Sequence, residues 1–123
     1  LTAADGSCQA RFVPKPEHLN TLGVVHGGVV MTLLDFAMAQ AARTLEPDMG
    51  IVTIEMKTSF MKVSSGELLA HAKLLQRTAT MTFNEARIVD AHGHLCAHAT
   101  GTFKFVRRSP AARRLSNTPT PGD

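Results

Sequence analysis

Tryptophan and tyrosine are absent from this chain of 123 residues, and six phenylalanines are its only aromatic side chains. Alanine, valine, leucine and methionine must therefore fill most of the interior, which suits close packing of a helix on a sheet. A hydrophobic fraction of 44% is ordinary for a globular protein. The length fits a single domain that buries a core of useful size.

Cysteine and long apolar runs are equally scarce. The two cysteines, Cys8 and Cys96, lie far apart and match no disulfide or metal-site spacing. Free thiols in a reducing compartment are therefore predicted. No stretch approaches the roughly 20 apolar residues that a membrane span requires, and no signal peptide is recognisable. We expect a cytoplasmic protein with no membrane partner.

The positive charge is concentrated at one end of the chain. The net charge is +3, and the last seventeen residues contain four arginines: Arg107, Arg108, Arg113 and Arg114. No basic stripe with interleaved aromatic residues is present, so no nucleic-acid partner is predicted. Residues 108–123 are rich in proline, threonine and arginine and cannot offset the entropy of ordering. We therefore predict one domain over residues 1–107 and a disordered tail over 108–123.

A nearly all-apolar helix is predicted over residues 29–43, which contain no proline or glycine. Such a helix should be buried on most of its sides. Asp35 lies in its middle, and a buried carboxylate is costly unless it is hydrogen-bonded, neutralised or used in chemistry. A structural or exposed Asp35 is the alternative, and the residues alone leave both readings open.

Alternating apolar and polar residues predict four long strands after this helix and a short one before it. Their ranges are 9–13, 51–62, 67–77, 81–90 and 94–106. In the strand 51–62, the residues expected on the core face are Val52, Ile54, Met56 and Phe60. The pattern predicts an α+β fold in which a long antiparallel sheet wraps around one buried central helix. Strand 51–62 should lie at an open edge and pair with a second subunit.

Glycines mark the start of the helix, in the sequence His26-Gly27-Gly28. The first turn of a helix has free N–H groups, and glycine lets a ligand oxygen approach them closely. These N–H groups could stabilise an oxyanion, or the glycines could simply permit a tight turn. Gly27 and Asp35 are eight residues apart, which is about 12 Å along a helix. Either the two do not share a site, or Asp35 is supplied by a partner subunit.

The segment from Asn20 to Arg43, with His26-Gly27-Gly28 and Leu33-Leu34-Asp35, resembles the hotdog-fold thioesterases of the phenylacetic-acid-degradation type. The sequence Ala-His-Ala-Thr-Gly-Thr-Phe, at positions 97–103, is also similar to that family. The resemblance covers about residues 8–107. It implies a hotdog fold and hydrolysis of acyl-CoA thioesters without a metal or a separate cofactor.

The resemblance also implies roles for five residues. Asp35 would be the nucleophile or the general base, and the Gly27 N–H would polarise the thioester carbonyl. Asn20 would hold the water or the thioester, His26 would order the loop, and the Thr53 hydroxyl would lie near the water. Asp and Asn come from opposing subunits in this family, which implies a homodimer and further a dimer of dimers.

The CoA moiety has its own candidate residues. In the family, the CoA phosphates lie against the hairpin that follows the second long strand. Arg77, Thr78 and Thr80 match that hairpin loosely and are the predicted CoA-binding residues.

Other chemistries have less support in the sequence. Alternatives within the fold are an acyl-CoA dehydratase or hydratase and a non-catalytic acyl-CoA-binding protein. No serine lies in a strand-turn-helix Gly-x-Ser-x-Gly context, so a Ser-His-Asp hydrolase is not predicted. A run of possible metal ligands alternates along the chain: Asp90, His92, His94, Cys96 and His98. Same-face positions of a strand are about 6.6 Å apart, too far for ligands about 2 Å from one ion, so no metal site is predicted.

Overall fold

The computed structural model describes residues 1–108 and contains one long helix and six strands. The helix α1 spans Gly27–Arg43, and a short 3₁₀ turn spans Pro16–His18. The strands are β1 Thr2–Ala4, β2 Ser7–Phe12, β3 Gly50–Phe60, β4 Leu68–Arg77, β5 Met81–Asp90 and β6 Leu95–Val106. The predicted helix and strands are confirmed to within two residues at each end, and β1 was not predicted. The predicted tail falls on residues that, from 109 onward, lie outside the described part.

All six strands form one antiparallel sheet in the order β1-β2-β4-β5-β6-β3, with α1 packed on one face. The predicted α+β architecture is therefore confirmed. The core lies between the helix and the sheet, where Leu34 and Met38 of α1 meet Ile88 and Phe103, all fully buried. Because β3 ends the sheet, its predicted edge position is confirmed, whereas its pairing with a second chain stays a prediction.

The helix packs closely on the sheet because one position of β6 is glycine. An ideal Cβ at Gly101 would lie 2.9 Å from the Phe103 ring and 3.0 Å from the Met38 methyl group. Contacts this short do not occur between unstrained atoms, so a side chain at this position would push α1 and β6 apart. Gly101 thus sets how closely α1 approaches the sheet.

Only one side of α1 is buried, so the prediction of a helix buried on most sides is wrong for the single chain. Its buried residues are Val30, Leu34, Ala37, Met38, Ala41 and Ala42. On the other side, Met31 and Phe36 are 38% and 41% exposed. Within residues 1–108, no helix is long and apolar enough to cross a membrane.

The predicted core face of β3 is confirmed for Met56, which packs against the core, and wrong for Val52 and Ile54, because the strand contains a β-bulge at Ile54. Thr53 pairs with Phe103 and Glu55 with Thr102, so Ile54 has no partner in the ladder. Val52 and Ile54 are 42% and 51% exposed instead of buried. A bulge reverses the alternation of side chains beyond it, and here it leaves Thr53 directed at α1.

Candidate active site

The first group of predicted residues lies at the start of α1. Asn20 and Gly27 line one cleft of about 390 Å³, together with Phe60, Lys62 and Ser64. We call this the Gly27 cleft. The structure therefore brings together two of the residues that sequence reasoning assigned to the thioester.

Asn20 orders the loop that leads into this cleft. Its Oδ1 accepts hydrogen bonds from the backbone N–H groups of Leu22 at 2.9 Å and Val24 at 3.3 Å. Its own backbone N–H donates to the carbonyl of Val24 at 2.9 Å. Since Oδ1 is occupied, the side chain can offer a ligand hydrogen-bond donors through its NH₂ group.

Gly27 is the first residue of α1, so its N–H has no acceptor within the helix. No other group in residues 1–108 accepts from it. An ideal Cβ at Gly27 would lie 3.6 Å from the ring of Phe60, which covers one side of the glycine. A free N–H at the positive end of a helix, beside an apolar ring, suits a carbonyl oxygen that gains negative charge.

His26 contributes to the helix start through its backbone. Its N–H donates to the carbonyl of His18 at 2.9 Å, and its carbonyl accepts from Val29 at 3.0 Å and Val30 at 3.1 Å. Its side chain lies in a neighbouring apolar groove with Val29 and Leu33. The imidazole is therefore not among the groups that line the Gly27 cleft.

The second group of predicted residues lies in the middle of α1. Asp35 and Thr53 share a separate hollow of about 370 Å³ with Met31 and Met56, which we call the Asp35 hollow. The Thr53 hydroxyl donates to Asp35 Oδ1 at 2.6 Å. This bond fixes one oxygen of the carboxylate and leaves Oδ2 available to a water molecule or a substrate.

The surroundings of Asp35 differ from the prediction. Its side chain is only half-buried, and the hollow is open on one side. The prediction that the Asp35 carboxylate is sequestered in apolar surroundings is therefore wrong for the single chain. The walls contributed by Met31 and Met56 are apolar, so the hollow would become such an environment if a second surface covered it.

The cleft and the hollow are distinct places on one chain. Gly27 and Asp35 both belong to α1, about 12 Å apart along its axis. None of the residues 1–108 lines both cavities. A single thioester carbon cannot reach both groups of the same chain, as the residue spacing predicted.

The hairpin predicted to bind CoA lies near the other end of α1. Arg77 is 3.4 Å from Glu46, just beyond the helix, and stacks over the ring of Phe105 at 5.1 Å. The Thr78 hydroxyl accepts from the backbone N–H of Thr80 at 3.3 Å. These side chains stabilise the hairpin and line neither the Gly27 cleft nor the Asp35 hollow.

Lys62 and Phe60 are cleft residues that sequence reasoning did not assign. Lys62 Nζ lies 2.7 Å from His94 Nδ1 and 3.6 Å from Asp90 Oδ2. The backbone N–H of His94 donates to Asp90 at 2.9 Å, and this bond is the main cause that lowers the pKa of Asp90 to about 2. A fixed anion therefore holds the Lys62 cation at the rim of the cleft. The only feature of the sequence that could have indicated Lys62 and Phe60 as cleft residues was their position at the end of the predicted strand 51–62.

The alternating His and Asp residues near the last hairpin are used in ion pairs and hydrogen bonds. Asp90 and His94 hold Lys62, while His98 lies 3.4 Å from Glu85 and Cys96 is buried. In the described part of the chain, no three His, Cys, Asp or Glu residues are grouped so that they could hold a metal ion.

Known proteins resemble this chain in sequence and in structure. Residues 22–97 match the family model of the thioesterase superfamily. A relative from Saccharolobus solfataricus is 30% identical over 96 residues, which are 77% of this chain and 64% of that protein. The chain thus spans less than two thirds of that relative's length. Human acyl-coenzyme A thioesterase 13 is 28% identical over 105 residues, covering 83% of this chain and 75% of that protein.

A solved structure extends the similarity to the whole fold. The BH2602 protein from Bacillus halodurans, solved with CoA, is 31% identical and superposes with a TM-score of 0.78. The match covers 82% of this chain and 68% of that one. The predicted family is therefore confirmed: the chain belongs to the thioesterase superfamily and has the hotdog fold of the phenylacetic-acid-degradation type of thioesterase.

Proposed function

We propose that this protein hydrolyses acyl-CoA thioesters to a free acid and CoA, at sites shared between two subunits. The observation that carries the proposal is the division of the predicted residues into a Gly27 cleft and an Asp35 hollow on one helix. The relatives support the substrate class, since one is named an acyl-coenzyme A thioesterase and another was solved with CoA.

The Gly27 cleft would receive the thioester carbonyl. The Gly27 N–H has no acceptor among the described residues and lies at the positive end of α1. Negative charge grows on the carbonyl oxygen as the carbon becomes tetrahedral, so this donor binds the transition state more strongly than the substrate. The NH₂ group of Asn20 supplies a second donor in the same cleft.

Asp35 of the second subunit would activate the attacking group. With Oδ1 held by Thr53, Oδ2 can take a proton from water while the water oxygen bonds to the carbonyl carbon. Collapse of the tetrahedral intermediate then breaks the C–S bond and releases the CoA thiolate, which takes up a proton. Direct attack by Oδ2, followed by hydrolysis of the anhydride, gives the same products. Neither route requires a metal or a separate cofactor.

Exposed surfaces of the single chain support the proposed dimer. Among residues 1–108 nothing pairs with the outer edge of β3, and Val52, Ile54 and Met31 expose apolar surface beside it. Pairing two β3 edges antiparallel would continue the sheet and set two α1 helices side by side in opposite directions. The Asp35 of one chain would then face the Gly27 cleft of the other. We propose this homodimer as the active unit, assembled further into a dimer of dimers.

The CoA moiety is proposed to lie across the Arg77–Thr80 hairpin. Antiparallel helices bring the far end of α1 in one subunit toward the helix start of the other, so this hairpin approaches the partner's cleft. Lys62 at the rim of the Gly27 cleft adds a cation on the path of the phosphates.

The decisive experiment replaces Asp35 by asparagine, which keeps size and shape while removing the charge. We expect thiol release from acyl-CoA to fall by about 100-fold or more, as is typical when a general base is lost. The matched control is Asp48→Asn, in an exposed loop, with turnover equal to wild type. Circular dichroism and gel filtration check that both variants fold and assemble alike.

Two results would contradict the proposal. Near wild-type turnover in Asp35→Asn would exclude a catalytic carboxylate at this position. Absence of thiol release by the wild type, over a panel of acyl-CoAs that differ in chain length and aromaticity, would exclude hydrolysis. A dehydratase or hydratase would change the acyl group in that panel and release no thiol.

A further inference from the structure

A polar pocket lies on the face of the sheet opposite α1. It has a volume of about 420 Å³, and we call it the outer pocket. The side chains that matter are Gln9, His71, Lys73, Glu85, Arg87 and His98, from four strands. They alternate along their strands with the buried alanines at 70, 72 and 86, so they point away from the core.

The strand register sets these side chains in two adjacent rows. Gln9, His71, Arg87 and His98 are successive cross-strand partners on β2, β4, β5 and β6. Lys73 and Glu85 pair with each other in the next row of the same face. Directly paired residues have Cβ atoms about 5 Å apart, so one small ligand can touch neighbouring members of a row.

The single carboxylate among these side chains is already engaged. Glu85 lies 3.3 Å from Lys73 Nζ and 3.4 Å from His98 Nε2. It therefore offsets the charge of Lys73 and leaves the pocket with the net positive charge of Arg87. The Arg87 side chain is exposed and forms no hydrogen bond or ion pair with any other residue in 1–108.

His71 presents a second free donor beside Arg87. Gln9 Nε2 lies 3.2 Å from His71 Nδ1 and donates to it, so the proton of the neutral ring is on Nε2. Burial, and next the positive charge of Arg87, lower the pKa of His71 below its usual value. With Nδ1 engaged by Gln9, the Nε2–H of the neutral ring remains as a donor in the same cross-strand row as Arg87.

We propose that the outer pocket binds a phosphate group through Arg87 and His71, with Lys73 at its edge. A guanidinium offers two parallel N–H donors that match two oxygens of a phosphate. The neighbouring imidazole N–H can donate to a third oxygen. The phosphate belongs either to a free ion or to a nucleotide, including the nucleotide end of CoA. The site lies across the sheet from the Gly27 cleft and does not depend on the proposed hydrolysis.

The test is calorimetric titration of the full chain with inorganic phosphate and, separately, with adenosine 3′,5′-bisphosphate. We expect saturable binding of one ligand per chain in at least one titration. Arg87→Gln should weaken it about tenfold or more, as loss of a charge-assisted hydrogen bond does. Lys104→Gln, which removes a charge from an exposed position on β6, should change affinity less than about twofold by the same measure.

Stronger binding of the bisphosphate than of phosphate identifies a nucleotide as the source, whereas equal affinity identifies the phosphate ion itself. The proposal is overturned if neither ligand saturates, if Arg87→Gln binds like wild type, or if Lys104→Gln loses as much affinity as Arg87→Gln.

A second readout separates specific binding from a general effect of charge. An anion seated against His71 stabilises the imidazolium, so phosphate should raise the pKa of His71 in an NMR titration. The ring resonances of His92, which is exposed and outside the pocket, should not respond to phosphate. Equal responses of both imidazoles to phosphate would indicate ionic screening and would refute the site.

Arg87→Lys should recover part of the affinity that Arg87→Gln loses, because lysine restores the charge without the paired donors.

Discussion

At the scale of single residues, the hydrogen bonds and the ion pair of Asp90 stabilise its negative charge near the Gly27 cleft. Asp90 accepts backbone hydrogen bonds from His94 and His92, and it holds the ammonium group of Lys62. The backbone hydrogen bond from His94 is the largest cause, followed by those from the His92 backbone and the His94 side chain, and together they favour the ionised carboxylate and lower the pKa of Asp90 to about 2. The stabilisation they provide depends on that ionisation and therefore on pH.

Asp90→Asn should lower the midpoint of thermal unfolding at pH 6, and this deficit should shrink as the pH falls toward 2. The pKa of Asp90 is lower in the folded than in the unfolded chain, where it is near 3.8. Its contribution is therefore complete above about pH 4 and is lost as the pH falls through the folded value. Thermal scans at pH 6, 4 and 3 measure the difference from wild type.

Asp48→Asn serves as the control, because Asp48 is exposed in a loop. Its midpoint should follow wild type at every pH. A deficit in Asp90→Asn that is constant from pH 6 to pH 3 would mean that the ionised carboxylate adds nothing to stability.

Residue-scale predictions from the sequence succeeded where they depended on spacing alone. The rise of a helix is constant, so the separation of Gly27 from Asp35 followed directly from eight intervening steps. The surroundings of Asp35 did not follow, because burial depends on what packs against the open side of the hollow. Lys62 was also missed, since its place in the cleft arises from a distant hairpin.

At the scale of elements, the contact between α1 and β6 depends on Gly101. Gly101→Ala should destabilise the protein by about 1–3 kcal/mol, the usual cost of overpacking a core. The added methyl group would meet the Phe103 ring at 2.9 Å and the Met38 side chain at 3.0 Å. Chemical denaturation measures the loss as a lower midpoint with an unchanged slope.

A second glycine provides the comparison. An ideal Cβ at Gly28 meets no atom of the described residues within 4 Å, so Gly28→Ala should keep or raise stability, since alanine favours a helix. If both alanine variants unfolded at the same denaturant concentration as wild type, the close approach at Gly101 would not be a constraint.

Elements were predictable to different degrees for a physical reason. The periodicity of a helix or a strand depends on neighbouring residues in the sequence. The ends of α1 and of the four long strands were therefore predicted to within two residues. The bulge at Ile54 and the irregularity between Leu74 and Gln76 were not found. A bulge depends on which residue of another strand lies opposite, and that pairing is set by the whole sheet. β1 is too short to show a period.

At the scale of the whole molecule, the proposed shared site can be tested by combining two inactive variants in one heterodimer. Gly27→Pro removes the proposed N–H donor and should leave α1 formed, because proline is tolerated at the first position of a helix. Each homodimer of Gly27→Pro or Asp35→Asn should be inactive. A purified heterodimer of the two contains one intact pair of groups, so it should show about half of wild-type turnover per dimer.

Gly27→Ala is the matched control, since it keeps the N–H and its methyl group would meet Phe60 at an ordinary 3.6 Å. It should stay active as a homodimer. Inactive heterodimers, with both parent variants folded and dimeric, would show that Gly27 and Asp35 do not act on one substrate across the interface.

The bulge in β3 also determines which face of the strand the side chains of Thr53 and Phe60 point to. Thr53 bonds Asp35 of α1, and Phe60, seven positions later, packs on Gly27 of the same helix. In a regular strand, side chains separated by an odd number of positions point to opposite faces. The one extra residue changes that parity, so both ends of β3 reach α1. Because of this single inserted residue, one strand contacts both the Asp35 carboxylate, through Thr53, and the Gly27 amide donor, through Phe60.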